Sequence, residues 1–289
     1  MSGTYYRGER GRNQLSADDL GRELETAIRL ARQAGRTIMG YYRTGLAVEH
    51  KAGDEPLTAA DLAADDLIRR GLREAFPEDG LLSEESPDDL SRLEKERVWI
   101  VDPLDGTTDF IDENDEFVVQ IALAVAGQPV LGVVLQPTTG QLYYASEAQG
   151  TYRVSGGTTV RLHVSAVSEP SRMRLVASRS HYSQLVKDAQ RRLGIRSVQR
   201  VGSVGLKVGR VAQGECDLYL ATGVAKEWDV CAPHALLKEA GGLLTDLCGG
   251  ALAYNKADAT ACRGLIGSNG LAHDRIVETV AALRPLPEE

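Results

Sequence analysis

Trp99-Ile100-Val101-Asp102-Pro103-Leu104-Asp105-Gly106-Thr107-Thr108-Asp109-Phe110 is the stretch on which the reading of this chain turns. It is entered through Val98-Trp99-Ile100-Val101, an apolar, β-rich run that reads as a short buried strand. The run ends abruptly at Asp102-Pro103, where the proline biases Asp102 towards an extended backbone. Asp105 follows three residues later, so two carboxylates stand where a buried strand emerges. Gly106 permits a sharp turn and close backbone approach. Paired hard oxygen ligands beside exposed backbone N–H groups suit magnesium and a phosphate. The same letters also make an ordinary turn, since Asp, Pro and Gly are turn formers.

Upstream, residues 16–40 read as a helix, with Ser16 and Asp19 placed like a capping box and Leu20, Leu24, Ile28, Ala31 and Ile38 at helical spacing. Residues 1–15 read as a flexible leader. A second helix starts near Thr58, with Asp61 at the capping-box position, and Pro77 marks its end. The segment 77–97 reads as a loop that carries Glu84-Glu85. Downstream, 118–126, 130–135 and 141–145 look like consecutive strands of a meander, separated by Gly- and Pro-containing turns. Ser155-Gly156-Gly157-Thr158-Thr159 reads as a loop and a domain edge. The second half alternates: strand 175–178, helices 182–193 and 204–213, strand 217–221, helix 229–240, strands 243–246 and 264–267, helix 271–283. The expected domains are 16–160, α+β and metal-binding, and 161–289, α/β.

A net charge of −8 argues against a nucleic-acid polymer as partner, because polyanion binders carry a basic face. An acidic protein can still handle a phosphate if metal ions reverse the local charge. No segment approaches the roughly 18 apolar residues of a membrane span. Cys216, Cys231, Cys248 and Cys262 lack Cys-x-x-Cys spacing and read as reduced core thiols, which favours a reducing, cytoplasmic compartment.

Two further acidic segments matter. Leu81-Leu82-Ser83-Glu84-Glu85 places adjacent acids after two leucines, though a solvated acidic loop has the same look. Asp229, in Glu227-Trp228-Asp229, stands at the start of a helix that ends at Gly241-Gly242, where simple N-terminal capping is the alternative.

Taken in order, Thr58-Ala59-Ala60-Asp61, Ser83-Glu84-Glu85, Trp99 to Phe110 and Trp228 to Gly242 resemble the motifs of the inositol monophosphatase superfamily. The resemblance spans about residues 20–270. Within it, Pro56 to Asp61, Ser178-Arg179-Ser180-His181 and Gly205-Leu206-Lys207 look most like the CysQ-type 3'(2'),5'-bisphosphate nucleotidases. Thr108 instead gives the Gly-Thr-Thr of the inositol branch, where many nucleotidases carry a basic residue.

The resemblance implies a layered αβαβα sandwich, the inositol monophosphatase and fructose-1,6-bisphosphatase-like fold, with the site between the halves. It implies a Mg2+-dependent, Li+-sensitive phosphatase holding two to three ions and hydrolysing a small phosphate ester. Glu84, Asp102 and the Leu104 carbonyl would hold one ion; Asp102, Asp105 and Asp229 would hold a second. Asp61 would order a third through water, and Thr107 would help activate the nucleophilic water, so Asp61, Glu84 and Thr107 are the expected catalytic set. The phosphate would lie along Leu104, Asp105, Gly106, Thr107 and Asp229, with the Gly106 and Thr107 N–H groups cradling it. Ser178, His181 and Lys207 would meet the rest of a nucleotide; a turn residue and a solvated helix residue are the alternatives for the last two. An inositol or sugar monophosphatase is the rival enzyme reading, a silent metal-binding regulator the non-enzyme one, and a homodimer is a family expectation.

Overall fold

The structure, a computed structural model, describes residues 20–45, 48–50 and 56–283. The expected leader and the Ser16–Asp19 capping box lie outside the described residues. Helix α1 (Gly21–Tyr41) is followed by the two-residue strands β1 (Glu49–His50) and β2 (Pro56–Leu57), then by α2 (Ala59–Ala75). Thr58 caps α2 as its sequence suggests: its Oγ1 accepts from the Ala60 N–H at 3.2 Å, and Asp61 Oδ2 accepts from the Thr58 N–H at 2.8 Å.

A seven-stranded sheet follows in the order β3 (Gly80–Ser83), β4 (Arg97–Asp105), β5 (Val118–Val125), β6 (Gln128–Gln136), β7 (Gln141–Ser146), β8 (Gly150–Ser155) and β9 (Thr158–Leu162). Strands β3 and β4 are parallel, and every later neighbour is antiparallel. The short helix α3 (Thr107–Ile111) lies between β4 and β5. The second half contributes β10 (Arg174–Ser178), α4 (Gln184–Arg192), β11 (Ser197–Val201), α5 (Val204–Ala212), β12 (Leu218–Lys226), α6 (Glu227–Glu239), β13 (Leu243–Thr245), β14 (Thr260–Ser268) and α7 (His273–Ala281). Its five strands run β11-β10-β12-β14-β13 across the sheet.

Side-chain alternation in β4 sets the layers. Trp99 and Val101 face α1 and α2, packing with Leu30, Ile38, Ile68 and Leu72. Val98 and Ile100 face the other way, into a core shared with α5, α6 and one face of the second sheet through Leu206, Val230, Leu236, Tyr219 and Leu265. The far face of that sheet buries Leu175, Leu218 and Ile266 against Val186 of α4 and Ile276 of α7. The result is the five-layer αβαβα sandwich. Gly132 makes the central contact possible, because a Cβ there would meet the Ala232 carbonyl oxygen at 2.4 Å.

Several expectations are corrected. The segment 77–97 is not all loop: Gly80–Ser83 pairs in parallel with β4, on an apolar signal of only two leucines. The strand read as ending at Val101 continues to Asp105, so both aspartates are strand residues. The stretch 155–159 is a hairpin turn, with Ser155 opposite Thr158, and its sheet continues to Leu162. Strand β11 fell in a stretch left unassigned, and α6 begins at Glu227, two residues early. Cys216 and Cys231 are buried, but Cys248 is exposed in the turn after Leu247. Among the described residues, no helix is long and apolar enough to cross a membrane.

Candidate active site

Parallel pairing of β3 with β4 brings Ser83 opposite Val101, and the Glu84 N–H donates to the Val101 carbonyl at 3.2 Å. Glu84 and Asp102 therefore emerge side by side. The start of α6 delivers Asp229 to the same place, and one carboxylate oxygen from each of the three lies within 4.8 Å of the others. Asp102 is 1% exposed. Burial, then Glu84, Asp105, Asp229 and Glu85, hold its carboxyl well above the usual range. Three hard oxygen donors forced together in this way fit a divalent cation, which relieves their repulsion.

Asp105 stands beside this cluster. Its Oδ2 accepts from Ser203 Oγ at 2.6 Å, the Val204 N–H at 2.7 Å, the Gly205 N–H at 3.1 Å and Gln120 Nε2 at 3.0 Å. Asp229 Oδ2 accepts from the Lys226 N–H at 2.8 Å, so capping and cluster membership coexist in one side chain.

Asp61, fully buried, accepts from Thr58 Oγ1 at 2.6 Å through Oδ2 and from Thr107 Oγ1 at 3.1 Å through Oδ1. Desolvation raises its pKa, against the lowering effect of the Thr58 and Thr107 hydrogen bonds. Thr107 Oγ1 also lies 3.3 Å from the Leu104 carbonyl. Gly106 turns the chain into α3 at φ +102°, and a Cβ there would lie 3.2 Å from the Glu116 carbonyl oxygen. Only glycine fits that turn without strain.

Above these residues lies a cleft of about 360 Å³ whose walls come from both halves. Its lining includes Glu84, Asp105, Gly106, Thr107 and Asp229, together with Ser178, His181 and Lys207. Asp61, Asp102 and Leu104 are buried beneath the lining. Lys207 is not a solvated helix residue: it is 5% exposed, and burial lowers its pKa against the pull of Asp105, Asp109, Asp229 and Glu116. Among the described residues its ammonium makes no hydrogen bond or ion pair, and it lies 5.7 Å from the centre of the Tyr219 ring. His181 is exposed in a turn that its own N–H closes by donating to Ser178 Oγ at 3.1 Å.

The profile of the inositol monophosphatase family matches residues 19–284. The chain belongs to that family. As a member of the inositol monophosphatase family it is a phosphatase. It is similar to the 3'(2'),5'-bisphosphate nucleotidase CysQ of Salmonella typhimurium, 38% identical over 239 residues that make up 82% of this chain and 95% of that protein. Among solved structures, an IMPase of Thermotoga maritima has a TM-score of 0.77 at 29% identity, covering 90% of this chain and 97% of its own. CysQ of Bacteroides thetaiotaomicron has a TM-score of 0.72 at 30% identity, covering 86% and 97%.

Three supporting residues escape a reading by motif. Asp65 on α2 accepts from Ser83 Oγ at 2.5 Å and Ser86 Oγ at 2.6 Å, and so pins the chain on both sides of Glu84-Glu85. Its only signal is a position four residues after Asp61, on the same helix face. Glu116 Oε2 accepts from Arg179 Nη2 at 2.5 Å and from the Gly202 N–H at 2.6 Å, joining the halves across the cleft. Gln120 is the third, and its sequence neighbours are all apolar strand residues.

Proposed function

We propose that this family member is a Mg2+-dependent nucleotidase that converts 3'-phosphoadenosine 5'-phosphate to AMP and phosphate. The observation that carries the reading is the acidic cluster of Glu84, Asp102 and Asp229 at a cleft that the largely buried Lys207 also lines. The carboxylates would hold the ions, with Asp105 and the Leu104 carbonyl as further oxygen donors. Bound magnesium would offset the carboxylate charge and acidify water at the site.

The chain's own groups then have distinct tasks. Thr107 Oγ1 donates its one hydrogen towards Asp61 Oδ1, which leaves its lone pairs to accept from, and so aim, an attacking water. Asp61, raised in pKa, is suited to holding the proton that the water gives up. The Gly106 and Thr107 N–H groups, at the turn into α3, offer donors to a phosphate. Lys207 supplies a positive charge for a second phosphate, with Ser178 and His181 beside it. Positioning and charge suffice for phosphoryl transfer, so no covalent nucleophile is needed.

The substrate comes from the similarity to CysQ and from Lys207. One observation favours an inositol or sugar monophosphate instead: Thr108 lines the cleft where a basic residue is expected of a nucleotidase. Inhibition by Li+, a homodimer and a cytoplasmic location complete the reading. A phosphate-release screen with Mg2+ across 3'-phosphoadenosine 5'-phosphate, inositol 1-phosphate and fructose 1,6-bisphosphate tests it. A clear preference for the nucleotide supports the proposal, and a preference for either sugar phosphate refutes it.

A further inference from the structure

Gln120 sits on β5 directly opposite Asp102 of β4, fully buried, so its side chain shares the face of the sheet that bears the cluster. Its Nε2 donates to Asp105 Oδ2 at 3.0 Å and to the backbone carbonyl of Asp229 at 3.2 Å. The second contact answers a defect in α6. Pro233 lies inside that helix, four residues after Asp229, and has no N–H to give the Asp229 carbonyl. A side chain from the neighbouring sheet fills the vacancy. Gln120 Oε1, by contrast, is buried without a hydrogen-bond partner among the described residues. Turning the amide over would set Oε1 against a carboxylate and a carbonyl, so the orientation is fixed. Gly205 leaves just enough room for it, since a Cβ there would lie 3.1 Å from Oε1. A buried amide kept with one acceptor unmatched does something other than packing.

We propose that Gln120 is a positioning residue that fastens Asp105 of β4 to the first turn of α6 and thereby sets the spacing of Asp105 and Asp229. With its donation added to those of Ser203, Val204 and Gly205, Asp105 Oδ2 is saturated and Oδ1 is the oxygen left for a cation. The inference rests on the metal-site reading above.

The test is Gln120→Met, close in length but unable to donate, in the full chain. Mn2+ binding to the metal-stripped protein is followed by titration calorimetry, beside kcat, KM and the melting temperature. Loss of a group that orients metal ligands predicts Mn2+ binding weaker by about 10-fold or more and a comparable fall in kcat, with KM within about 3-fold. The stripped protein should melt within a few degrees of wild type, because the unmatched Oε1 disappears with the two hydrogen bonds. Ile121→Val, on the opposite face, should lower the melting temperature and leave Mn2+ affinity alone. Unchanged Mn2+ affinity in Gln120→Met overturns the proposal, as does a loss no greater than that of Ile121→Val. A wild-type protein that binds no Mn2+ removes the metal-site reading itself, and this inference with it.

Discussion

Replacing Asp102 with Asn separates the role of its charge from the role of its shape. Asn keeps the oxygen that accepts from the Leu104 N–H at 3.0 Å, so the local turn survives. What disappears is a charge within 4.8 Å of two others. At an effective dielectric constant of about 20 and that separation, each fully ionised pair costs about 3.5 kcal/mol, about 7 for two. Burial and the neighbouring acids favour the protonated form of Asp102, which relieves part of this repulsion; the expected gain for metal-free protein is therefore only a part of that Coulomb figure, about 1–3 kcal/mol. That corresponds to a rise in melting temperature of a few degrees. The sign with pH follows from the same shift. Burial and the neighbouring acids make Asp102 keep its proton to higher pH in the folded metal-free protein than in the unfolded chain, so stability falls as pH rises through that window. Asp102→Asn should flatten that fall. With Mg2+ present the order reverses: wild type gains thermal stability and the variant does not, while turnover drops by about 100-fold or more. Calorimetric melts in chelator and in Mg2+, with phosphate release alongside, read all three effects. A variant that keeps more than about a tenth of wild-type activity, or that melts lower in chelator, refutes the reasoning.

Other outcomes follow from the same geometry. Thr107→Val removes the hydroxyl between Asp61 and the cleft and should lower kcat by about 10²- to 10⁴-fold with KM little changed; steady-state kinetics decides. Lys207→Met should cut kcat/KM for 3'-phosphoadenosine 5'-phosphate by about 10- to 100-fold, and that for inositol 1-phosphate much less; equal losses would deny Lys207 a second phosphate. Gly106→Ala forces a Cβ into a positive-φ turn and should cost about 1–3 kcal/mol, measured by denaturant unfolding. Burial pushes His234 from 6.5 down to about 4, so the folded state resists a proton that the unfolded chain accepts. Wild type should therefore lose up to about 3 kcal/mol between pH 6.5 and 4 that His234→Gln does not lose, seen in pH-dependent melts.

The helices and the meander were legible because each carries a period. Thr58 with Asp61 announced α2 by its cap, and the alternating or continuous apolar runs 118–126 and 130–135 announced strands. Strand β3 was not legible, because Leu81-Leu82 is too short a run to stand out and its pairing partner lies about 18 residues on. The acids could be collected by resemblance, but nothing local says that Lys207 is buried: its helix is short, and burial comes from β12 packing over it through Tyr219. Gln120 shows the limit most plainly. A polar residue in an apolar strand is visible, yet its purpose depends on a proline more than 100 residues later.

The cluster draws Glu84 and Asp102 from the end of the first sheet and Asp229 from α6, a helix of the second half that packs between the two sheets. A chain emerging from the ribosome thus possesses two of the three acids long before the third is synthesised. Such an intermediate can neither neutralise its crowded carboxylates with a fully formed cage nor act on an ester. If these three acids hold the ion, its capture must wait until α6 has docked, and a loaded protein would be one in which both halves have met.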